Sequence, residues 1–203
     1  MTVDVPQIRW TDGVKLPAAR TALLVVDMQN DFVDPRGALP VPAAAGTVGP
    51  IAALLARARE AGVPVLYTQD WHLPDDPEFR IWPPHCVAGT WGAEVVDALA
   101  PQPGETRIRK TTYDPFFRTP LEPVLDELGV EELVIVGTVA NICVLHAAAS
   151  AALRGLRPVV PRDGVSALTK FDLHLAFHQV ASLYRGVPLA GADGARFVPQ
   201  ARA

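Results

Sequence analysis

Cys143 sits in the stretch Leu133-Val-Ile-Val-Gly-Thr-Val-Ala-Asn-Ile-Cys143-Val-Leu-His146. Four apolar residues followed by Gly137 read as a strand buried on both faces. Asn141 reads as a helix cap, which puts Cys143 in the first turn of an alanine-rich helix over 144–153. A thiol there meets unpaired backbone N–H groups and the positive end of the helix dipole, and both favour the thiolate. The competing role for Cys143 is that of a small buried hydrophobe. As a nucleophile it needs a proton acceptor, and donors for the oxyanion that forms on the attacked carbonyl. Asp27 ends the apolar run Thr21-Ala-Leu-Leu-Val-Val and could accept the proton if burial raises its pKa. Lys110 could hold that carboxylate and favour the thiolate, or could be no more than its ion-pair partner. The N–H groups around Val139 and Cys143 are candidates for the oxyanion hole. His146, one helical turn beyond Cys143, reads as a packing or surface residue.

A second group has metal-ligand chemistry. Asp70-Trp-His72 ends another apolar run, and His85 follows in a proline-rich stretch. One carboxylate and two imidazoles suit Zn²⁺ or Fe²⁺, with water completing the shell. A cation there could bind a substrate ring nitrogen or polarise a carbonyl. The alternative is a set of polar loop residues. Trp82 could stack on a flat ring, or could help Trp71 and Trp91 pin the loop. Cys86 adjoins His85 too closely to share its metal and reads as structural. His174 and His178 have i, i+4 spacing but no third ligand in view, and read as a solvated or interface pair.

These residues need elements to carry them to one place. Strands are expected over 21–27, 63–67, 106–110, 133–136, 156–160 and 187–190. Helices are expected over 48–61, 94–99, 120–128, 144–153 and 170–183. Residues 28–42 and 73–92 read as loops, and loops that long inside a domain usually serve function. Alternating strands and helices give an α/β fold: a three-layer α/β/α sandwich around a doubly wound, mostly parallel sheet of about six strands. Ligands bind such sheets at the carboxyl ends of the strands. Asp27, Asp70 with His72, Lys110 and the 138–143 stretch all lie there.

The bulk numbers agree with a single domain over 1–203, with 1–18 as an N-terminal extension. The chain is 49% hydrophobic with a formal net charge of −4, and it has no basic block, which argues against nucleic acid as a partner. It has no apolar run long enough to span a membrane and no apolar leader. Two cysteines make no disulfide framework, so a reducing cytoplasm is expected.

Four collinear stretches carry a resemblance: Val25-Val-Asp27-Met-Gln-Asn-Asp31-Phe32, Thr68-Gln-Asp70-Trp-His72, Trp82-Pro-Pro-His85-Cys-Val-Ala-Gly-Thr-Trp-Gly-Ala-Glu94, and Gly137-Thr-Val-Ala-Asn-Ile-Cys143-Val. Lys110-Thr-Thr-Tyr-Asp fits as well. Together they resemble the nicotinamidase/isochorismatase-like cysteine hydrolase family. The resemblance implies that fold, a catalytic triad of Asp27, Lys110 and Cys143, and a cis peptide between Thr138 and Val139 that aims the Val139 and Cys143 N–H groups at the oxyanion. It implies that Asp70, His72 and His85 hold one divalent ion, zinc or iron with manganese as a third choice. It further implies Phe32 and Trp82 as substrate-pocket walls, a homodimer or homotetramer, and hydrolysis of nicotinamide to nicotinate and ammonia, a step of NAD salvage. The implied alternative is a related amidase on another small amide or carbamoyl compound; a non-catalytic binding protein is a further one. Two departures stand out. No histidine follows within a few residues of Asp70-Trp-His72, leaving water or Glu78 as a fourth ligand. The nucleophile string is Val-Ala-Asn-Ile-Cys, where nicotinamidases commonly have Ala-Thr-Asp-x-Cys.

Overall fold

A computed structural model describes residues 4–199. The outermost residues of the expected 1–203 domain lie outside those described. The strands are β1 (Val14–Pro17), β2 (Thr21–Val26), β3 (Val65–Asp70), β4 (Thr106–Lys110), β5 (Glu132–Thr138), β6 (Arg157–Pro161), β7 (Val165–Ser166), β8 (Val187–Leu189) and β9 (Ala195–Val198). The α-helices are α1 (Asn30–Val33), α2 (Ala44–Glu60), α3 (Leu121–Glu127), α4 (Leu145–Leu153) and α5 (Lys170–Ser182).

The main sheet runs β4-β3-β2-β5-β6-β8, with the short β7 paired to β5, and every pairing in it is parallel. Every residue of β2 and β3 is buried, as is all of β5 after Glu132, which is why β2 and the first half of β5 read as apolar runs; β3 is apolar only to Tyr67 and ends in the polar Thr68-Gln-Asp70. From β2 the chain builds outward through β3 and β4. It then returns to the other side of β2 for β5 and builds outward through β6 and β8. The order therefore reverses between β2 and β5, and a crevice opens at their carboxyl ends. Gly137 lets the two ends approach. Its φ is +121°, and a Cβ there would lie 2.0 Å from the Val26 carbonyl oxygen, so no larger residue fits.

Several expectations shift. The 48–61 helix begins earlier, at Ala44, and runs through Pro50. Residues 94–99 form no helix. Within them only Asp97–Leu99 makes a 3₁₀ turn; another, Trp91–Ala93, precedes them, and Val95 between the two bridges to Gln29. The 28–42 loop contains α1. Part of the expected N-terminal extension is docked: β1 pairs in parallel with β9, and Trp10 packs edge-on against Phe177 at 4.8 Å. With only Leu16 of β1 buried, four residues leave too faint a pattern to read.

Candidate active site

The crevice gathers the sequence-derived candidates. Asp27 follows β2 in a left-handed conformation, φ 50°, which turns its carboxylate under the end of the sheet. There it is completely buried, and the Thr68 hydroxyl donates to its Oδ1 at 2.6 Å. Lys110 is the last residue of β4. The parallel register sets it beside Asp70, the last residue of β3, so both side chains leave the sheet on one face. Its Nζ lies 2.8 Å from Asp27 Oδ2 and 3.5 Å from Cys143 Sγ, and it also pairs with Asp70 Oδ1. Lys110 is 3% exposed and Cys143 5%. Ligand atoms of Asp27, Asp70 and Cys143 lie within 4.8 Å of one another, with the ammonium among them.

Cys143 does not sit in the first turn of an ordinary helix. After β5 comes a wide π turn, Ala140–Val144, closed by Val144 N–H donating to the Val139 carbonyl at 3.2 Å, and α4 follows. Such turns bulge a backbone outward and recur at functional sites. The peptide between Thr138 and Val139 is cis, as the resemblance implied. Asn141 is not a cap: its side-chain N–H donates to Asp172 Oδ1 at 3.2 Å, tying the turn to the start of α5.

Electrostatics correct one expectation. Burial pushes the Cys143 thiol well above its ordinary pKa, Asp27 and Asp70 push it further, and Lys110 only partly opposes them. Burial therefore works against the thiolate here rather than for it. Burial also raises Asp27 above the usual carboxylate range against the pull of Lys110, the direction a general base needs. Desolvation works against the Lys110 charge, but two flanking carboxylates outweigh it and hold its pKa well above normal. Asp70 stays below the usual range because Lys110 and His72 outweigh its burial.

Asp70, His72 and His85 also converge, with ligand atoms within 4.8 Å of one another and all three residues buried. His72 Nε2 is buried without a hydrogen-bond partner, a costly state unless a ligand takes it. His72 Nδ1 lies 3.1 Å from Asp76 Oδ2. His85 Nδ1 lies 2.8 Å from the Pro83 carbonyl; donating there leaves Nε2 with a free lone pair, and Nε2 is 3.9 Å from both Asp70 and Glu78. This is how a metal-binding imidazole is oriented. The set fits a divalent cation, with Glu78 near enough to join it. The Asp27–Asp70–Cys143 group does not fit one, because Lys110 already supplies its positive charge.

Gln29 is a residue that sequence reasoning missed. Its amide donates to the Asp70 carbonyl and accepts from the Asp70 N–H, both at 2.8 Å, clamping the peptide that carries Asp70. Only an amide at that spacing can make the pair, but nothing in the sequence says which peptide it will meet.

A cavity lies over Cys143, Asp70 and His85. Phe32 and Trp82, the expected walls, line it with Leu39, Val41, Tyr113, Val139, Ile142 and Leu168. Its polar lining besides Cys143 is Asp70, Glu78 and His85, with neither arginine nor lysine. Trp82 donates to the Tyr113 hydroxyl at 2.9 Å, joining two walls. His146 is exposed, and His174 Nε2–H donates to the Pro6 carbonyl at 2.7 Å; neither enters the cavity.

The isochorismatase domain model matches residues 21–193, most of the chain. The chain belongs to the isochorismatase family. Within it, the ureidoacrylate amidohydrolase RutB of Agrobacterium fabrum is 34% identical over 160 residues, covering 66% of this chain and 70% of that one. Over the ureidoacrylate amidohydrolases matched, the aligned stretch spans 62% to 70% of their length. Among solved members, N-carbamoylsarcosine amidase from Thermoplasma acidophilum is similar with a TM-score of 0.79 and 37% identity, over 86% of this chain and 97% of that one. The pyrazinamidase of Pyrococcus horikoshii, solved in complex with zinc, has a TM-score of 0.78 and 32% identity, over 85% and 99%. The fold is thus that of isochorismatase-like hydrolases, and the crevice at the β2/β5 reversal is this member's candidate active site.

Proposed function

We propose that this isochorismatase-family chain is a cysteine amidohydrolase that hydrolyses the carboxamide of nicotinamide or a close neutral aromatic amide. The observation that supports it most is the juxtaposition of two groups: Asp70 touches the ammonium of Lys110, while its other oxygen faces His72 and His85. A nucleophile cluster and a cation site therefore share one apolar cavity. Asp70, His72 and His85, with Glu78 or water as a further ligand, would hold a divalent cation, which would supply an anchor for a ring nitrogen. The walls Phe32 and Trp82 bracket a flat ring and exclude water from it.

Asp27 takes the proton from Cys143 as the sulfur attacks the amide carbon. The N–H groups of Val139 and Cys143 receive the oxyanion. Collapse breaks the C–N bond, and Asp27 passes its proton to the leaving nitrogen, which departs as ammonia. Asp27 then deprotonates a water that attacks the thioester. The C–S bond breaks, the acid is released, and the sulfur recovers its proton. Lys110 stays charged throughout and keeps Asp27 from drifting.

A second reading, a carbamoyl or ureido substrate, is favoured by the named relatives and by the Val-Ala-Asn-Ile-Cys143 string. Ureidoacrylate and N-carbamoylsarcosine bring a carboxylate, which in this lining would meet Asp70 and Glu78, with neither arginine nor lysine and only the proposed cation to receive it. Ammonia release measured side by side separates the two. Nicotinamide is expected to show kcat/KM at least about 100-fold above either ureido acid, roughly 2.7 kcal/mol, because an acid substrate must take the cation from the ring nitrogen's place and sit against two carboxylates. A preference for a ureido acid overturns the first reading in favour of the second.

Metal removal gives a separate prediction. Dialysis against a chelator is expected to raise KM for nicotinamide about tenfold or more with a smaller change in kcat, the mark of lost substrate positioning. Alkylation of Cys143 by iodoacetamide should proceed at an unchanged rate, so the loss cannot be laid to the nucleophile.

A further inference from the structure

Asp31 is a buried carboxylate that the proposed chemistry does not use. It is 8% exposed, and among the described residues no lysine, arginine or histidine forms an ion pair with it. Backbone donors satisfy it instead. The Ala38 N–H donates to Oδ1 at 2.9 Å, and the Cys86 N–H donates to Oδ2 at 2.7 Å. The second bond lands between the two histidines of the cation set. Cys86 directly follows His85, its carbonyl accepts from His72 N–H at 3.1 Å, and the His72 carbonyl accepts from Ala88 N–H at 2.9 Å. Cys86 holds φ at +46°, a left-handed conformation that a non-glycine residue adopts only when its surroundings impose it. The carboxylate also packs on Gly92, where a Cβ would lie 2.1 Å from Oδ2.

The geometry points to Asp31 as a positioning residue: it fixes the Cys86 peptide, and through it the spacing of His85 and His72, so that the cation site is preformed. This rests on the proposed cation site. The orientation of metal ligands by their outer hydrogen bonds is a general device; here the partner holds the backbone rather than the imidazole. Asp31→Asn keeps the shape but loses an acceptor, since an amide nitrogen cannot receive the Ala38 or Cys86 N–H. Gly92→Ala approaches from the other side and displaces the same carboxylate.

The full chain, stripped of metal, is titrated with Co²⁺ and followed by its visible absorption, with a competing chelator to set the affinity. Both variants are expected to bind Co²⁺ at least about tenfold more weakly than the parent and with altered band shape. Labelling of metal-free Cys143 by iodoacetamide should stay within about twofold, because Asp31 contacts none of Asp27, Lys110 or Cys143. A structural role alone would move labelling and leave the cobalt spectrum of the folded fraction unchanged. Parent-like Co²⁺ affinity in either folded variant, or labelling that shifts as much as the affinity, overturns the inference and leaves the cation site intact as a proposal. Failure of both variants to fold overturns it too, making Asp31 a general structural residue. If the parent chain itself binds no Co²⁺, the cation site falls and this inference falls with it.

Discussion

Cys143→Ala is expected to lower amide hydrolysis by at least about 10⁴-fold, to the limit of an ammonia assay, while leaving the chain folded. The size follows from the role. With no sulfur there is no thioester, and the remaining groups can only polarise the amide and steer water, which in nucleophile-deleted hydrolases leaves a small residue of the original rate. The fold should hardly notice. The side chain fills little volume, and its polar neighbours are Lys110, 3.5 Å away, and the two carboxylates beside it, which still neutralise the ammonium when the sulfur is gone. A change in stability within about 1 kcal/mol is expected. A variant that keeps a tenth or more of the parent rate would mean that the bond is broken by some other group. Mass spectrometry of the parent chain, quenched during turnover, should find the acyl group on the peptide that contains Cys143 rather than the one with Cys86. Burial pushes the Cys86 thiol far above its ordinary range and removes it from competition.

Lys110→Met is expected to be nearly as damaging to activity and much more damaging to stability. The ammonium is the only positive partner described for Asp27, and the two carboxylates it separates are both buried. Without it Asp27 and Asp70 face each other in a site from which water is excluded, and breaking a buried pair in this way typically costs 3–5 kcal/mol. The site relieves the strain by taking up a proton, which removes the base that Cys143 requires. A loss of about 1,000-fold in kcat/KM is expected. The pH dependence has a definite sign. A carboxyl whose pKa in the folded chain lies above its unfolded value binds more protons folded than unfolded. It therefore adds stability at low pH and loses it as the pH rises through the folded pKa. Thermal melting should show the variant closest to the parent near pH 5 and furthest from it near pH 8. A deficit that is flat across that range would mean that the two acids are not held together as the coordinates place them.

Most of the frame was legible because the central strands are buried on both faces. The runs ending at Asp27 and at Gly137 could be nothing else, and placing chemistry at strand ends predicted which residues would meet. What stayed hidden depended on register and on turns. The pairing of Asp70 with Lys110 across β3 and β4 made one carboxylate serve both the cation set and the triad, and no spacing in the chain announces a register. Asn141 has the composition of a cap, yet the π turn placed Val139 at that position and left Asn141 to reach Asp172. Helical spacing over 94–99 was overruled by the bridge from Val95 to Gln29. The cavity walls Leu39, Val41 and Leu168 come from loops whose path depends on side chain–backbone bonds such as those of Asp31, and such bonds leave no periodicity.

The pairing of β1 with β9 has a consequence for how the molecule is made. Among the described strands β1 precedes and β9 follows all seven strands of the main sheet, so β1 must wait for its partner while that sheet can assemble without the pair. The seam between β1 and β9 is then a stitch added to a body whose crevice is already shaped. Fraying at that seam should cost the catalytic crevice little, because none of the groups that meet at the β2/β5 reversal belongs to it.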